Sequence, residues 1–454
     1  MGFKIVHTSD WHLGQRLDRL DRKEEHQAFL EWLLSVLEEE KPDLLAVCGD
    51  VFDSANPPVE SVGMLYTFLA RASAWVPNIV VIGGNHDSGM RLDVVSPLLK
   101  GTGITVLGAC PGEAERCVVP VMRDGIRVAV VAAVPYLRPY DLATALSGET
   151  EAERAGRIVD SVTARFREIQ DAADGLRCEG EALIVLGHLF VAGGLATPES
   201  ERPVQVEAGR IMGVPAEALG NRAACILLGH LHRPQRVKGP VPVLYSGSPI
   251  PLTFDEARYP GGVTVVEVAG RDQPVQVRRL PAPKVLELAE VTGTLDECRA
   301  KLTELAKMTG TLDECRAKLT ELAGGPPGSA HGLSEDGQAT TGAQEPPREA
   351  EAAGRGCRGL VKVTVRLDGP VPGLREELAA LLDGSGWVLA VVRRESMAGT
   401  TGETVEPGLL DDLPPDEVFR RRYARLYPGS EVPSDLVDAF HELLEEVWGR
   451  EGEP

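Results

Sequence analysis

Residues able to bind a metal recur at the ends of short apolar runs. Asp10 and His12 follow Phe3-Lys4-Ile5-Val6-His7-Thr8-Ser9. Asp50 follows Leu44-Leu45-Ala46-Val47-Cys48-Gly49, and Asn85 and His86 follow Ile79-Val80-Val81-Ile82-Gly83-Gly84. His188 follows Leu183-Ile184-Val185-Leu186-Gly187, and His230 and His232 follow Cys225-Ile226-Leu227-Leu228-Gly229. A single histidine after a strand is usually structural. Here five of the chain's nine histidines stand at such ends, which makes a pattern. Carboxylate, amide oxygen and imidazole without thiolate suit Mn²⁺, Fe²⁺ or Zn²⁺. Without His86 seven side chains remain, and one bridging carboxylate would make them two four-ligand sites. Paired ions of this kind clamp a phosphate and produce hydroxide from water at neutral pH, the chemistry needed to attack a phosphoester. His7, His26, His331 and His441 read as strand interior, helix face, loop and helix surface.

The elements that position these residues follow from periodicity. Residues 27–40 carry Phe29, Leu30, Leu33, Leu34 and Leu37 at helical spacing, and Pro42 ends that helix. A second amphipathic helix fits 59–74, and a polar one fits 151–173. The continuous apolar runs between them are expected of strands covered on both faces. Helices alternating with such strands make an α/β layered domain, with its site at the carboxyl ends of the strands.

At 454 residues the chain is long enough for about three domains, and 43% hydrophobic content can fill their cores. No segment reaches the roughly 18 unbroken apolar residues of a membrane span. The first residues lack the basic, apolar and small-residue pattern of a secretion signal, so the cytoplasm is expected. Eight cysteines without a Cys-x-x-Cys pair make no disulfide framework, and Cys48 and Cys225 fit core positions. A net charge of -21 argues against unaided binding to phosphate backbones.

The α/β pattern closes near residue 260, after Tyr245-Ser246-Gly247-Ser248-Pro249. A second domain is expected over 262–395, starting with a hairpin (263–268 and 276–280) and resuming with strands at 361–365 and 388–392 around a helix at 372–382. It is interrupted by a 17-residue tandem repeat (291–324), in which Thr292-Gly293-Thr294-Leu295-Asp296-Glu297-Cys298 recurs as 309–315. Each copy reads as a helix with a capping box. A segment at 324–357, rich in Gly, Pro, Ala, Glu and Ser, reads as a disordered insertion. A linker (398–412) precedes two amphipathic helices within 413–454, carrying Val418, Phe419, Tyr423 and Leu426, then Leu436, Phe440, Leu443, Leu444 and Val447. After a linker such stripes suit docking to a partner helix as well as core packing.

The set Asp-x-His, Gly-Asp-x-x-Asp, Gly-Asn-His-Asp, Gly-His and Gly-His-x-His resembles the calcineurin-like metallophosphoesterase superfamily. Within it, His7-Thr8-Ser9-Asp10-Trp11-His12-Leu13-Gly14, Gly49-Asp50-Val51-Phe52-Asp53 and Tyr245-Ser246-Gly247-Ser248-Pro249-Ile250-Pro251-Leu252 resemble the SbcD nuclease subunits. The resemblance is strong over about 1–280 and looser beyond. It implies a sandwich of sheets flanked by helices, a small α+β capping domain and C-terminal helices that bind a partner. It implies two divalent ions, Mn²⁺ first among them. Asp10, His12 and His232 would hold one, Asn85, His188 and His230 the other, and Asp50 would bridge. His86 would stabilise or protonate the leaving group, Asp87 would orient its imidazole, and Asp53 would act behind the ligands.

The implied activity is ATP-dependent exonuclease action on duplex DNA and endonuclease action on single strands and hairpins, in DNA end processing, repair, recombination and replication. The implied partners are an SbcC-type coiled-coil ATPase, DNA ends and a second copy within a heterotetramer, with the 59–74 helix as one face of that dimer. The chain has no Gly-x-x-x-x-Gly-Lys-Ser/Thr loop, so ATP dependence would come from the ATPase. The basic residues Arg16, Arg19, Arg22 and Lys23 suit either a DNA contact or a solvated helix start. The alternatives are a phosphoesterase on small phosphodiesters or phosphoproteins, and a non-catalytic DNA-end tether with a degenerate site.

Overall fold

The apolar runs that end in ligand residues form the central strands of two sheets. The structure is a computed structural model and describes residues 2–18, 20–138, 150–197, 213–270, 274–307, 359–367, 369 and 371–396, with a few positions between 419 and 440. It divides into two compact units, with residues up to Glu287 in the first and those from Leu288 in the second.

The first unit opens with β1 (Phe3–Thr8), a two-residue ribbon of β2 (Arg16–Leu17) and β3 (Leu20–Asp21), helix α1 (Lys23–Glu40), β4 (Leu44–Cys48), helix α2 (Val59–Ala72), β5 (Ile79–Ile82) and β6 (Ile104–Leu107). Next come β7 (Val118–Arg123), β8 (Ile126–Val134), the long helix Glu151–Leu176, β9 (Ala182–His188), β10 (Cys225–Gly229), β11 (Gln235–Val237), β12 (Val243–Tyr245), β13 (Gly262–Val268) and β14 (Gln276–Pro281). One six-stranded sheet runs β14-β13-β1-β4-β5-β6 and the other β11-β12-β10-β9-β8-β7. Strands β1, β4, β5 and β6 are parallel, as are β8, β9, β10 and β12, so both sheets bring carboxyl ends to the site.

The pleat sends alternate residues of each run to opposite faces. Ile5, Leu44, Ala46, Val80 and Ile82 meet Val131, Ile184, Leu186 and Leu227 between the two sheets. Their neighbours Val6, Leu45, Val47 and Val81 face outward against Phe29, Leu33 and Leu37 of α1 and Leu65 and Phe68 of α2. Val130, Leu183, Val185 and Ile226 do the same against Phe166, Ile169 and Ala173 of the long helix. The unit is thus helix, sheet, sheet, helix, and each fully buried aliphatic side chain stabilises it by roughly 1.5–3 kcal/mol relative to exposure. Cys48 and Cys225 lie in the inter-sheet core, where burial pushes both thiols up, Cys225 to about 12.

The expected close of the domain near 260 falls short. The hairpin β13–β14 belongs to the first sheet, with β13 antiparallel to β1 from Phe3↔Val268 to His7↔Thr264. Its alternating valines fill the open edge beside β1, which would otherwise expose unpaired backbone groups.

The second unit contains β15 (Glu287–Thr294), β16 (Gly359–Leu367) and β17 (Trp387–Ser396) in that sheet order, with helices Leu295–Ala306 and Leu374–Ala380. Val291, Cys298, Leu302, Val361, Val363, Leu378 and Trp387 form its core. The first copy of the repeat supplies the helix Leu295–Ala306, and Thr294 and Glu297 close a capping box at its start. The second copy, the 324–357 segment, the 398–412 linker, His331 and His441 lie outside the described residues. So does most of 413–454, although Phe419 and Phe440 stack at 4.2 Å between ring centroids and Tyr423 is buried. No helix among the described residues is long and apolar enough to cross a membrane.

Candidate metal centre

The backbone at the strand ends is bent to present its side chains. Among the described non-glycine residues, positive φ occurs at Asp10 (54°), His12 (47°), Asp50 (47°) and His230 (101°), and at only three residues elsewhere. Such conformations are costly for side-chain-bearing residues and persist where the surroundings enforce them. Here hydrogen bonds between strand ends do so: Asp10 N donates to Gly49 O at 3.0 Å and His12 N to Asp50 O at 3.0 Å. Gly84 is needed for close approach, since a Cβ there would lie 2.2 Å from Asp50 Oδ1. At Gly49, φ is 85° and a Cβ would lie 2.2 Å from His188 Nδ1.

Trp11 anchors the first loop from below. It is fully buried, packs edge-on against Phe29 and Phe68, and donates from Nε1 to Thr8 Oγ1 at 2.8 Å. His26 reaches the same loop, with Nε2 3.0 Å from Trp11 O.

Three clusters of possible ligand atoms result, one of them joining His86 and Asp53 to His12. Asp10, His12 and His232 place one ligand atom each within 4.8 Å of one another, and so do Asp50, His188 and His230. Asn85 Oδ1 joins the second cluster, 3.0 Å from His188 Nε2 and 2.9 Å from His230 Nδ1. Asp50 Oδ2 is 3.2 Å from His188 Nε2 and 3.7 Å from His12 Nε2, and so spans the two.

Hydrogen bonds behind the ligands fix which nitrogens face inward. His188 Nδ1 is 2.8 Å from Cys48 O, and a carbonyl only accepts, so Nδ1 carries the proton. In the neutral ring the lone pair of Nε2 then points at the Asp50 and Asn85 oxygens, which are acceptors too. His232 Nδ1 is 2.9 Å from Glu256 Oε1, and His12 Nδ1 is 3.3 Å from Asp53 Oδ1. His12 Nε2 is buried and has no hydrogen-bond partner among the described residues. Converging acceptors and an orphaned imidazole nitrogen fit divalent cations, which replace the missing protons.

The electrostatics agree. Burial opposes the charge on His188, but the Asp50 carboxylate outweighs it and the imidazole is raised to about 9, so that without an ion Nε2 holds a proton toward Asp50 in the place a cation would take. Burial opposes the charge on Asp50 likewise, yet His188, His12 and His86 hold it well below the usual range. His230 is pushed down to about 3 by burial and by His188, which keeps it neutral.

His86 stands beside the first cluster, its ring 4.7 Å from that of His12 between centroids. Its Nδ1 is 2.8 Å from the Asp53 carbonyl and its backbone N donates to Asp50 Oδ1 at 2.8 Å. The expectation that Asp87 orients this imidazole is corrected. Asp87 is fully buried, and its carboxylate accepts from Gly84 N (2.8 Å), Phe52 N (2.9 Å) and Val51 N (3.1 Å), tying the β4 and β5 loops together. Asp53 holds His86 instead. Burial, and then the Asp50 charge, raises the Asp87 carboxyl to about 6.

Sequence reasoning missed Glu256. It sits in a 3-10 turn after Thr253, with no periodicity to mark it, and also accepts from Leu252 N at 2.8 Å. It missed, too, that Ser246 and Ser248 support Asp10. Ser246 Oγ is 2.7 Å from Ser9 Oγ, which donates to Asp10 Oδ2, and Ser248 Oγ donates to Asp10 O at 2.9 Å. Of the basic cluster, Arg22 is buried in a pair with Glu25 and Lys23 pairs with Glu60, while Arg16 is exposed and Arg19 lies outside the described residues.

The calcineurin-like phosphoesterase family model matches residues 3–234, and one described as type 5 capsule protein repressor C-terminal domain matches 301–427. The SbcD component of the SbcCD nuclease from Rhodobacter capsulatus is 37% identical over 312 residues, covering 64% of this chain and 75% of the relative. Its counterpart from Escherichia coli strain K12 is 33% identical over 305 residues, covering 65% and 74%. The counterpart from Bacillus subtilis strain 168 is 34% identical over 314 residues, covering 65% and 76%.

Proposed function

Since the chain belongs to the SbcD nuclease family of the calcineurin-like phosphoesterases, we propose that it is a metal-dependent DNA phosphodiesterase. It acts as an exonuclease on duplex ends and an endonuclease on single strands and hairpins, driven by an SbcC-type coiled-coil ATPase in the cytoplasm. The observation that carries this reading is the convergence of seven ligand side chains from two sheets on one place, with acceptors facing acceptors. Asp10, His12 and His232 would hold one ion, Asn85, His188 and His230 the other, and Asp50 would serve both. Mn²⁺ is the proposed ion. Two such ions would supply Lewis acidity toward water and the phosphodiester and offset the charge of the latter.

The protein's own residues do the rest. Glu256 and Asp53 fix the His232 and His12 rings so that one nitrogen of each faces the ligand cluster. His86, with its Nδ1–H committed to Asp53 O, as the imidazolium offers its Nε2 proton to the leaving oxygen as the P–O bond breaks and is left as the neutral ring. Asp87 keeps the loops carrying Asp50 and Asn85 in register. The net charge of -21 suits a protein that receives DNA through its partner rather than by its own phosphate contacts. A second copy in the assembly is part of the same proposal.

The test is digestion of end-labelled duplex and hairpin DNA with Mn²⁺, with and without the ATPase partner and ATP. Shortening of the duplex and opening of the hairpin, stimulated by ATP and partner, is expected. Fast hydrolysis of a cyclic nucleotide with intact DNA would instead place the activity on small phosphodiesters.

A further inference from the structure

Two thiols stand together outside the metal centre and take no part in it. Cys110 Sγ lies 3.9 Å from Cys117 Sγ. Cys110 is half-buried at the end of the segment after β6, and Cys117 is fully buried where the 3-10 turn Ala114–Cys117 enters β7. Arg165 of the long helix covers the pair. Its Nε donates to Cys110 Sγ at 3.4 Å and its Nη2 to the carbonyl of Pro111.

A guanidinium against one sulfur and a thiol against the same sulfur both favour the thiolate at Cys110. The hydrogen bond from Cys117, acting with Arg165 against partial burial, lowers Cys110 to about 6, and Cys117 is raised by the same contact. The two sulfurs are thus unlike: Cys110, half-buried, lies against the guanidinium, and Cys117 is fully buried. The exposed Cys178 has no such second thiol among the described residues.

We propose that Cys110 and Cys117 form a reversible dithiol–disulfide couple, with Cys110 as the attacking sulfur, Cys117 as the resolving one and hydrogen peroxide as oxidant. The Cys110 thiolate attacks one peroxide oxygen, the O–O bond breaks, and the departing hydroxide takes up a proton to leave as water. Cys110 is then a sulfenic acid. Cys117 loses its proton and attacks the Cys110 sulfur; the S–O bond breaks and the hydroxide leaves with that proton as a second water. Two thiols lose two electrons and the peroxide gains them. A disulfide of about 2.0 Å requires the sulfurs to close by roughly 1.9 Å, and the intervening Gly112 and Glu113 are exposed and free of the core. The couple lies beside the strand end that carries Asn85 and His86, because Leu107 O accepts from Gly83 N at 2.9 Å and Asp93 holds Gly108 N at 2.6 Å.

The experiment exposes the full metal-loaded chain to hydrogen peroxide, alkylates remaining thiols and digests with trypsin. Cleavage after Arg116 parts Cys110 and Cys117 into peptides 101–116 and 117–123, so only a disulfide joins them. The expected result is a joined species two hydrogens lighter than the sum of its parts, lost on treatment with dithiothreitol. Cys110 and Cys117 should lose their free thiols together, at one rate, as the joined species appears. In Cys117→Ser the reaction stops at a Cys110 sulfenic acid that dimedone traps, and in Cys110→Ser peptide 117–123 gains no adduct. Recovery of both peptides separately alkylated after Cys178 has oxidised, or an adduct at Cys117 in Cys110→Ser, overturns the proposal.

Discussion

Glu256 Oε1 lies 2.9 Å from His232 Nδ1, and the second oxygen of the same carboxylate accepts from Leu252 N at 2.8 Å. One buried acid thus fixes both the tautomer of a proposed ligand and the turn that carries the acid. Glu256→Gln replaces the charge behind His232 with a neutral amide. Loss of such a partner costs about 10–100-fold in metal affinity. Calorimetric titration with Mn²⁺ should show that weakening, and an unchanged affinity would remove Glu256 from the site.

His86 is held by Asp53 and contributes no atom to the two main ligand clusters. His86→Ala should keep both ions while cleavage of hairpin DNA falls by about 10²–10⁴-fold, the usual worth of a positioned proton donor. Metal content by elemental analysis and single-turnover cleavage separate the two effects. Full cleavage in this variant would refute the role.

Asp87 is fully buried and its carboxylate accepts three backbone amides. Asp87→Ala leaves those amides buried and unpaired, at about 1–3 kcal/mol each before relaxation. A loss of about 3 kcal/mol or more in urea unfolding is expected. Wild-type stability combined with lost cleavage would return Asp87 to a direct catalytic role.

His7 gives the fold an acid limit. Burial pushes its imidazole down from 6.5 to about 3, with Arg279 adding to the effect. The unfolded chain therefore binds this proton more readily than the folded one between those values. Stability is fully present above pH 6.5 and falls below it by about 1.4 kcal/mol per pH unit for this one group. His7→Leu should flatten the slope of ΔG against pH between 6.5 and 4 by that amount. An identical slope in both proteins counts against it.

Chelation should lower the melting temperature, because ions that bind the folded site and not the unfolded chain stabilise it by mass action. Restoring Mn²⁺ at about a hundredfold excess over its Kd should return about 2.7 kcal/mol. A thermal transition indifferent to EDTA would argue against ions in this site.

The residues that converge at the strand ends were legible because polar residues at the ends of fully apolar runs have few structural reasons to be there. The layers were legible too, since runs such as Leu44 to Cys48 imply two covered faces. The pairing of β13 with β1 was not, because the partners lie far apart in sequence and Gly261-Gly262 reads as a break. Arg22 resembled a surface base until its pairing with Glu25 placed it inside. Asp87 resembled a partner of its neighbour His86, yet its side chain turns the other way, toward amides that only the folded chain assembles.

The two sheets divide the proposed ligands between them: Asp10, His12, Asp50 and Asn85 from one, His188, His230 and His232 from the other. Bound ions would therefore rivet the sandwich across its open edge. Neither sheet could breathe away from the other without tearing coordination, so exchange of the ions and loosening of the sandwich should share one clock.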